Sequence, residues 1–474
     1  MRSLTFLLLI LLPALVLAGP EHAPPPKPLA ITHVTVIDAT GAAAQPGMTV
    51  VITDHRISAL GKTGTVQLPK DVQPIDANGQ FLIPGLWDMH VHWNDAPYLP
   101  LFTANGVTGI RVMWGLPLHL NWRRELAAGT LQGPRLVLAG SIVDGPKPFW
   151  KGSIAAGTEG EGRQAVRKTR DEGYDFVKVY NSLPRHVYFA IADEAKKQGL
   201  PFVGHVPSAV SAAEASDAGQ KSIEHLQGIL LACSAKEEEL RKAQAVARTT
   251  PVPADRALLF RRIGEQLLEP CDARKAVALF ARFKANGTWH VPTFTVLRSN
   301  AYLDDPNHTN DPRLKYMPPA VRELWNPKND FRFENVTPED FAFEKKLFQR
   351  RLELVGDMHR AGVGLLAGTD VLNPYCFPGF SLHDELEWLV KAGLSPMAAL
   401  QTATRNPVKF FDQLNDFGTV EPGKVADLVL LDADPLQDIK NTRRIAAVVV
   451  GGRLLDRGAL QKMLADAEGA ANKK

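Results

Sequence analysis

The residues that could do chemistry in this chain are four histidines, one lysine and one aspartate, each closing a short apolar run. Phe81 to Trp93 reads Phe-Leu-Ile-Pro-Gly-Leu-Trp-Asp-Met-His-Val-His-Trp. If Leu86–His92 is a strand, Asp88, His90 and His92 share one face, because strand side chains alternate with period two. Two imidazoles on one face at a strand end can hold a metal ion between them. Further along stand Val203-Gly204-His205-Val206-Pro207, Ser222-Ile223-Glu224-His225 and Leu365-Leu366-Ala367-Gly368-Thr369-Asp370. In Asp175-Phe176-Val177-Lys178-Val179-Tyr180, residues Phe176, Lys178 and Tyr180 share one face and the two valines the other. If the valines meet helices, Lys178 points into the core, where a buried ammonium needs a partner or a changed chemical state. Each group alone has an ordinary reading: a strand cap for His205, a surface pair for Glu224-His225, a helix cap for Asp370, a solvated Lys178. Together, at strand ends, they point to a metal centre.

Eight candidate strands carry these groups: 86–92, 109–113, 135–140, 176–180, 202–205, 222–225, 289–293 and 364–368. Helical patterns at 163–172, 186–198 and 343–361 separate several of them. Strand–helix alternation predicts a parallel sheet, and eight units predict a closed barrel. An open doubly wound sheet is the competing architecture, but it would normally bring a Gly-rich first turn for a nucleotide, and none is found. In such a barrel the chemistry gathers at the C-terminal strand ends, so the histidines, Lys178 and Asp370 face one mouth.

The two ends of the chain have a different texture. Residues 30–83 and the stretch after 417 carry strand and hairpin signals, with turns at Gly41, Asp54-His55 and Asn78-Gly79. The expected fold class is α/β: a (β/α)8 TIM-like barrel over 84–416, with a small discontinuous β-sandwich domain formed by 30–83 and 417–458. Residues 459–474 read as a tail, a frayed helix without visible chemistry.

Met1 to Ala18 reads as a secretory signal, with Arg2, an apolar run from Leu4 to Leu17, and a small-residue exit. That run is shorter than the roughly 20 residues a membrane-spanning helix needs. Residues 19–29 form a Pro-rich linker. The expected location is outside the cytoplasm, periplasmic or secreted, with no membrane association after signal removal. Lys and Arg total 54 against 51 Asp and Glu. Charge is nearly balanced, which argues against a nucleic-acid partner. The three cysteines are Cys233, Cys271 and Cys376. In an exported chain Cys233 and Cys271, in one inter-motif segment, are the pair expected to oxidise.

Across nearly the whole mature chain, the sequence resembles the amidohydrolase superfamily of metal-dependent hydrolases. Within it, the chain is similar to the group of imidazolonepropionases and dipeptide-cleaving prolidases. The resemblance rests on Pro84-Gly-Leu-Trp-Asp-Met-His-Val-His92, Gly106-Val107-Thr108-Gly109, the Lys178 strand, the two later His strands and Gly368-Thr369-Asp370. It implies two divalent metal ions, with His90, His92 and Asp370 on one and His205 and His225 on the other. It further implies that Lys178 is carboxylated by CO2 and bridges the two. A lysine cation would repel the metals, whereas a carbamate is an anion with two oxygens. Imidazole-rich ligation with carboxylate oxygens favours zinc.

The expected reaction is metal-assisted hydrolysis of an amide or peptide bond, with Asp370 as the proton shuttle. A dipeptide or N-acyl amino acid fits export and the resemblance. Alternatives are a cyclic amide or lactone hydrolase, a ring deaminase, or a metal-free dihydropyrimidinase-like scaffold. Lys178 argues against a single-metal deaminase, and the complete ligand set argues against a scaffold. Tyr180, His290 and His383 are candidate substrate contacts. The long segments 227–288 and 294–345, which hold Arg298, Tyr302, Tyr316, Trp325 and Phe331, could form a lid. The sequence leaves the oligomeric state open, a homo-oligomer included.

Overall fold

A computed structural model describes residues 27–473, apart from 94, 331, 334 and 335. The signal segment and most of the Pro-rich linker lie outside the described residues. Among the described residues no helix is long and apolar enough to cross a membrane.

Seven parallel strands run in order around a barrel: Leu86–Val91, Val107–Val112, Arg135–Asp144, Phe176–Val179, Phe202–Gly204, Ser222–Glu224 and Trp289–Val291. Each pairs in parallel register with the next. The eighth position is filled by residues 364–371, which close the ring by bridges to both neighbours, Leu365 with His290 and Val371 with Val91. This segment is not a continuous ladder. Ala367 N–H donates to Thr402 O rather than to a strand partner. Gly364 and Gly368 let it pass closely: a Cβ would lie 2.6 Å from the Trp289 ring at the first and 2.6 Å from Val291 at the second.

Helices cover the barrel between strands. The helices expected from 163, 186 and 343 are Glu159–Asp171, Arg185–Gln198 and Pro338–Arg360. The first and third begin early because Thr158 with Glu161, and Thr337 with Asp340, form capping boxes that satisfy free helix N–H groups. Between the sixth and seventh strands, helices Glu237–Thr249 and Pro253–Gln266 form an outlying layer with its own small core, and Ala273–Asn286 flanks the barrel. Cys233 and Cys271 are joined in a disulfide there, and Cys376 is buried and free.

The β domain draws on both chain ends, as expected. Its hydrogen bonds run through one sheet whose order places Arg453–Leu455, Ile445–Val450 and Leu428–Leu431 beside Phe81–Pro84, followed by Leu29–Val36, Gln45–Thr53 and Arg56–Lys62. Phe81–Pro84 pairs antiparallel with Leu428–Leu431 and parallel with Thr35–Val36. The chain then enters the barrel through Gly85, where a Cβ would stand 2.1 Å from Thr108 Oγ1. The first barrel strand is thereby anchored to both domains.

The expected frayed tail is instead an ordered helix, Arg457–Ala471. Asp456 caps it, and Leu460, Met463, Ala467 and Ala471 form a buried stripe. That spacing matches one face of a helix, which packs on Leu99–Ala104 and Ile445–Val450.

Candidate metal centre

At the C-terminal ends of the strands four imidazoles and one carboxylate converge. His90 Nε2 lies 3.1 Å from His92 Nε2 and 3.4 Å from Asp370 Oδ1. His92 Nε2 is 3.1 Å from the same oxygen, and His225 Nε2 is 3.9 Å from Asp370 Oδ2. His205 packs edge-on to His225, with ring centroids 4.9 Å apart. Lys178 is fully buried in this group and forms no ion pair within 4 Å among the described residues. Its stem lies against Gly204, where a Cβ would approach Lys178 Cδ to 2.9 Å.

The backbone is strained where it presents these side chains. His225, Leu226, Thr293 and Asp370 hold φ of +58°, +56°, +52° and +60°. Non-glycine residues in this region cost about 1–3 kcal/mol each and persist where surrounding structure fixes them. Here they sit at the ends of the sixth, seventh and eighth strand positions. Asp88 fixes the eighth segment to the first strand. Its carboxylate accepts from Thr369 N at 3.0 Å, from Thr369 Oγ1 at 2.6 Å and from His90 N at 3.2 Å. Burial raises the Asp88 carboxyl to about 7.

Three imidazoles are oriented from behind. His90 Nδ1 is 2.8 Å from Glu224 Oε2. His205 Nδ1 is 2.8 Å from Asn181 Oδ1, and His225 Nδ1 is 2.7 Å from Thr293 Oγ1. An Nδ1–H donated to these acceptors leaves each Nε2 lone pair aimed at the centre. Burial holds His90 and His205 well below the ordinary imidazole range and brings His225 to about 4, so all three are neutral at neutral pH. Burial also brings the Lys178 ammonium down to about 8. Asp370 Oδ1 is buried and makes no hydrogen bond, and neither does His92 Nδ1. A ring of lone pairs crowded around an unbonded buried carboxylate oxygen is repulsive by itself. It fits a divalent cation with nitrogen and oxygen ligands, of the kind zinc takes. Ligand atoms of His90, His225 and Asp370 lie within 4.8 Å of one another.

The centre opens into a cavity of about 630 Å³. Its walls are largely apolar, with Trp114, Trp150 and Trp325 among them. Tyr180 lines it too. Its ring stacks on His205 with centroids 4.1 Å apart, and its hydroxyl oxygen accepts from Trp150 Nε1–H at 2.8 Å. Burial raises the phenol to about 12, so it keeps its proton as a donor.

His290 and His383 do not line this cavity. His290 points away from the barrel interior, against Phe283 of the flanking helix, with both ring nitrogens unbonded. Strand alternation accounts for this: Val291 packs with Trp87, Met89 and Leu366, so its neighbour faces out. His383 is held between Thr442 Oγ1 at 2.9 Å and the Asn105 carbonyl at 3.1 Å, a tie between three segments. The 294–345 segment supplies much of the cavity wall, Leu297, Leu324, Trp325 and Arg332 among it, while Tyr302 and Tyr316 pack on Phe348 and Phe380. Phe331 lies outside the described residues. Sequence reading missed Arg111, whose guanidinium has no exposure and pairs with Glu224 at 2.9 Å. The signal was present: an arginine between Ile110 and Val112 in a buried strand requires a buried anion.

The fold and the centre define a barrel hydrolase of the metal-dependent type. The Amidohydrolase family model matches residues 81–455, and the chain belongs to this family. Ochratoxinase from Aspergillus niger is 23% identical over 442 residues, spanning 79% of this chain and 75% of that protein. Among solved structures, a bottromycin amidohydrolase superposes with a TM-score of 0.73 at 24% identity, covering 94% of this chain and 91% of that one. A Xaa-Pro dipeptidase with methionine bound in its active site gives 0.65 at 19%, covering 91% and 100%. These likenesses establish the same fold, and with the family they make the chain a hydrolase acting on carbon–nitrogen bonds.

Proposed function

We propose that this chain is an exported hydrolase that cleaves the amide or peptide bond of a dipeptide or N-acyl amino acid. One observation carries the reading: His90, His92, His205, His225, Lys178 and Asp370 converge at the base of an apolar cavity large enough for such a substrate. Two divalent ions, zinc by the ligand chemistry, would be held by these residues, with Lys178 as the bridging carbamate. When bound, such ions activate water and polarise a carbonyl. The likeness to a bottromycin amidohydrolase and to a Xaa-Pro dipeptidase supports an amide or peptide bond as the target. The disulfide supports export, since such bonds persist in oxidising compartments.

The chain's own residues have separable tasks. Asp370 takes the proton from the attacking water and delivers it to the departing nitrogen; its oxygens face His90, His92 and His225, and it lines the cavity. Tyr180 donates its hydroxyl proton to an oxygen of the substrate, held in place by His205 and Trp150. Lys178, brought toward its neutral amine by burial, is the form that adds CO2 at Nζ with release of a proton. The apolar walls exclude bulk water.

The test is a panel of dipeptides and N-acyl amino acids offered to zinc-loaded protein, with products identified by mass. Release of a free amino acid from at least one member is expected. Cleavage confined to cyclic amides, lactones or amino-substituted rings would overturn the linear-amide reading. No bound metal after purification and no gain on adding zinc would favour the scaffold.

A further inference from the structure

Asp144 ends the third strand and has no exposure to solvent, yet it does not line the cavity. Its two oxygens serve two different loops. Oδ1 accepts from Ser182 N–H at 2.7 Å, in the loop after the fourth strand. Oδ2 accepts from Phe149 N–H at 3.0 Å, in the loop after the third. Each loop supplies one member of an aromatic pair in the cavity wall: Tyr180 stands two residues before Ser182, and Trp150 directly follows Phe149. Trp150 Nε1–H meets the Tyr180 hydroxyl oxygen at 2.8 Å. Between Tyr180 and Ser182, Asn181 Oδ1 meets His205 Nδ1 and accepts from Gln227 Nε2. The two loops also pass in near contact, since a Cβ on Gly145 would stand 2.2 Å from the Ser182 carbonyl oxygen.

A buried carboxylate is costly unless its lone pairs are met, and an anion holds backbone N–H groups more strongly than a neutral acceptor does. The base of loop 145–153 is fixed: Asp144 pairs with Ala155, and Ala156 N–H donates to the Asp144 carbonyl. Its tip is exposed at Pro146, Lys147 and Phe149. The bond from Phe149 N–H to Oδ2 therefore ties the fixed base to the residue before Trp150. We propose that Asp144 is a positioning residue for the reaction: by tying the two loops together it holds Trp150 against Tyr180, and so sets where the Tyr180 hydroxyl points. This rests on the amide-cleaving reading above, in which Tyr180 donates to the substrate. Asparagine could not replace Asp144 in this task, because it offers one acceptor oxygen where two are used and turns an N–H toward a donor.

The test follows the indole N–H signals of zinc-loaded protein carrying ¹⁵N-labelled tryptophan. Trp150→Phe identifies the Trp150 signal by its loss, and Tyr180→Phe gives its position without an acceptor. Asp144→Asn should move the Trp150 signal most of the way to that position, although it alters neither partner of that bond. With N-benzoyl-L-leucine as the probe and benzoate release as the readout, Asp144→Asn should lower kcat ~10–100-fold and change KM less than ~3-fold, the pattern of a misplaced group that acts in the transition state. In a Trp150→Phe background the same substitution should cost less than ~3-fold, because residues acting through one contact are not additive. Amide hydrogen exchange on the unmutated protein covers the case of a variant that does not fold: Phe149 is 53% exposed, yet its N–H should exchange slowly. An unmoved Trp150 signal in folded Asp144→Asn protein, equal losses with and without the Trp150 indole, or fast exchange at Phe149 would each overturn the proposal. A moved signal in a protein that cleaves no amide would leave the tie standing and count against the amide-cleaving reading. An amide-cleaving enzyme indifferent to Asp144→Asn would do the reverse.

Discussion

Glu224 Oε2 lies 2.8 Å from His90 Nδ1, and neither side chain has any exposure to solvent. Arg111 closes the other side of the same carboxylate, with Nη2 at 2.9 Å and 3.0 Å from its two oxygens. Ser222 Oγ also donates to it, and Arg111 Nε donates to the Met89 carbonyl at 2.6 Å. The first strand, the second and the sixth are thus joined beneath the candidate metal centre. Glu224 fixes which nitrogen of His90 is left bare, and the Arg111 guanidinium holds the Glu224 carboxylate in place.

Glu224→Gln should therefore do two kinds of damage. Removing one member of a buried pair costs about 3–5 kcal/mol of stability. Loss of the carboxylate behind a ligating histidine lowers metal affinity ~10–100-fold. Thermal melting reads the first and chelator competition the second. A variant with unaltered melting and unaltered metal affinity would show that Glu224 does not position His90.

Asp370→Asn keeps the size and the strained backbone position but removes the basic oxygen. Loss of a positioned proton carrier lowers turnover on the order of 10²–10⁴-fold. The circular dichroism spectrum should be unchanged. Full turnover in this variant would refute the assignment of Asp370 as the proton carrier.

Glu385 supplies a pH dependence away from the centre. It is fully buried and accepts from Phe294 N, Thr295 N and Thr295 Oγ1, at the start of the helix after the seventh strand. Burial raises its carboxyl from 4.5 to about 8. Between those values the folded chain keeps a proton that the unfolded chain has released. The stabilisation is whole below 4.5 and is lost as pH rises to about 8. Glu385→Gln, which cannot ionise, should lack this component, so its melting point should fall less than the parent's from pH 5 to pH 8. Parallel melting curves for the two proteins would contradict it.

Much of this was legible in the sequence, for physical reasons. Period-two alternation with one charged or imidazole residue at a strand end marks His90, His92, Lys178, His205 and His225, and the structure brings them together with Asp370. The eighth segment was readable from Leu365-Leu366-Ala367-Gly368, although its broken ladder depends on a bond to Thr402 that no local pattern shows. His290 misled because a three-residue strand leaves its facing ambiguous; only Val291 in the core settles it. His383 misled because a motif-like segment says nothing about Thr442, reached from a distant part of the chain. The Arg111–Glu224 pair joins residues more than 100 positions apart, so spacing alone could not reveal it. The order of the final helix was not legible, because its buried stripe of Leu460, Met463, Ala467 and Ala471 includes two alanines that carry a weak apolar signal.

The central claim is that two divalent ions sit together among these six side chains. The most direct measurement is an anomalous-scattering map at the zinc edge from crystals of the zinc-loaded protein. Two peaks about 3.5–4 Å apart are expected, one against His90, His92 and Asp370 and the other against His205 and His225, with density for a carboxylated Lys178 between them. A single peak, no peak, or a Lys178 side chain with no added atoms and no contact to either ion would contradict the account.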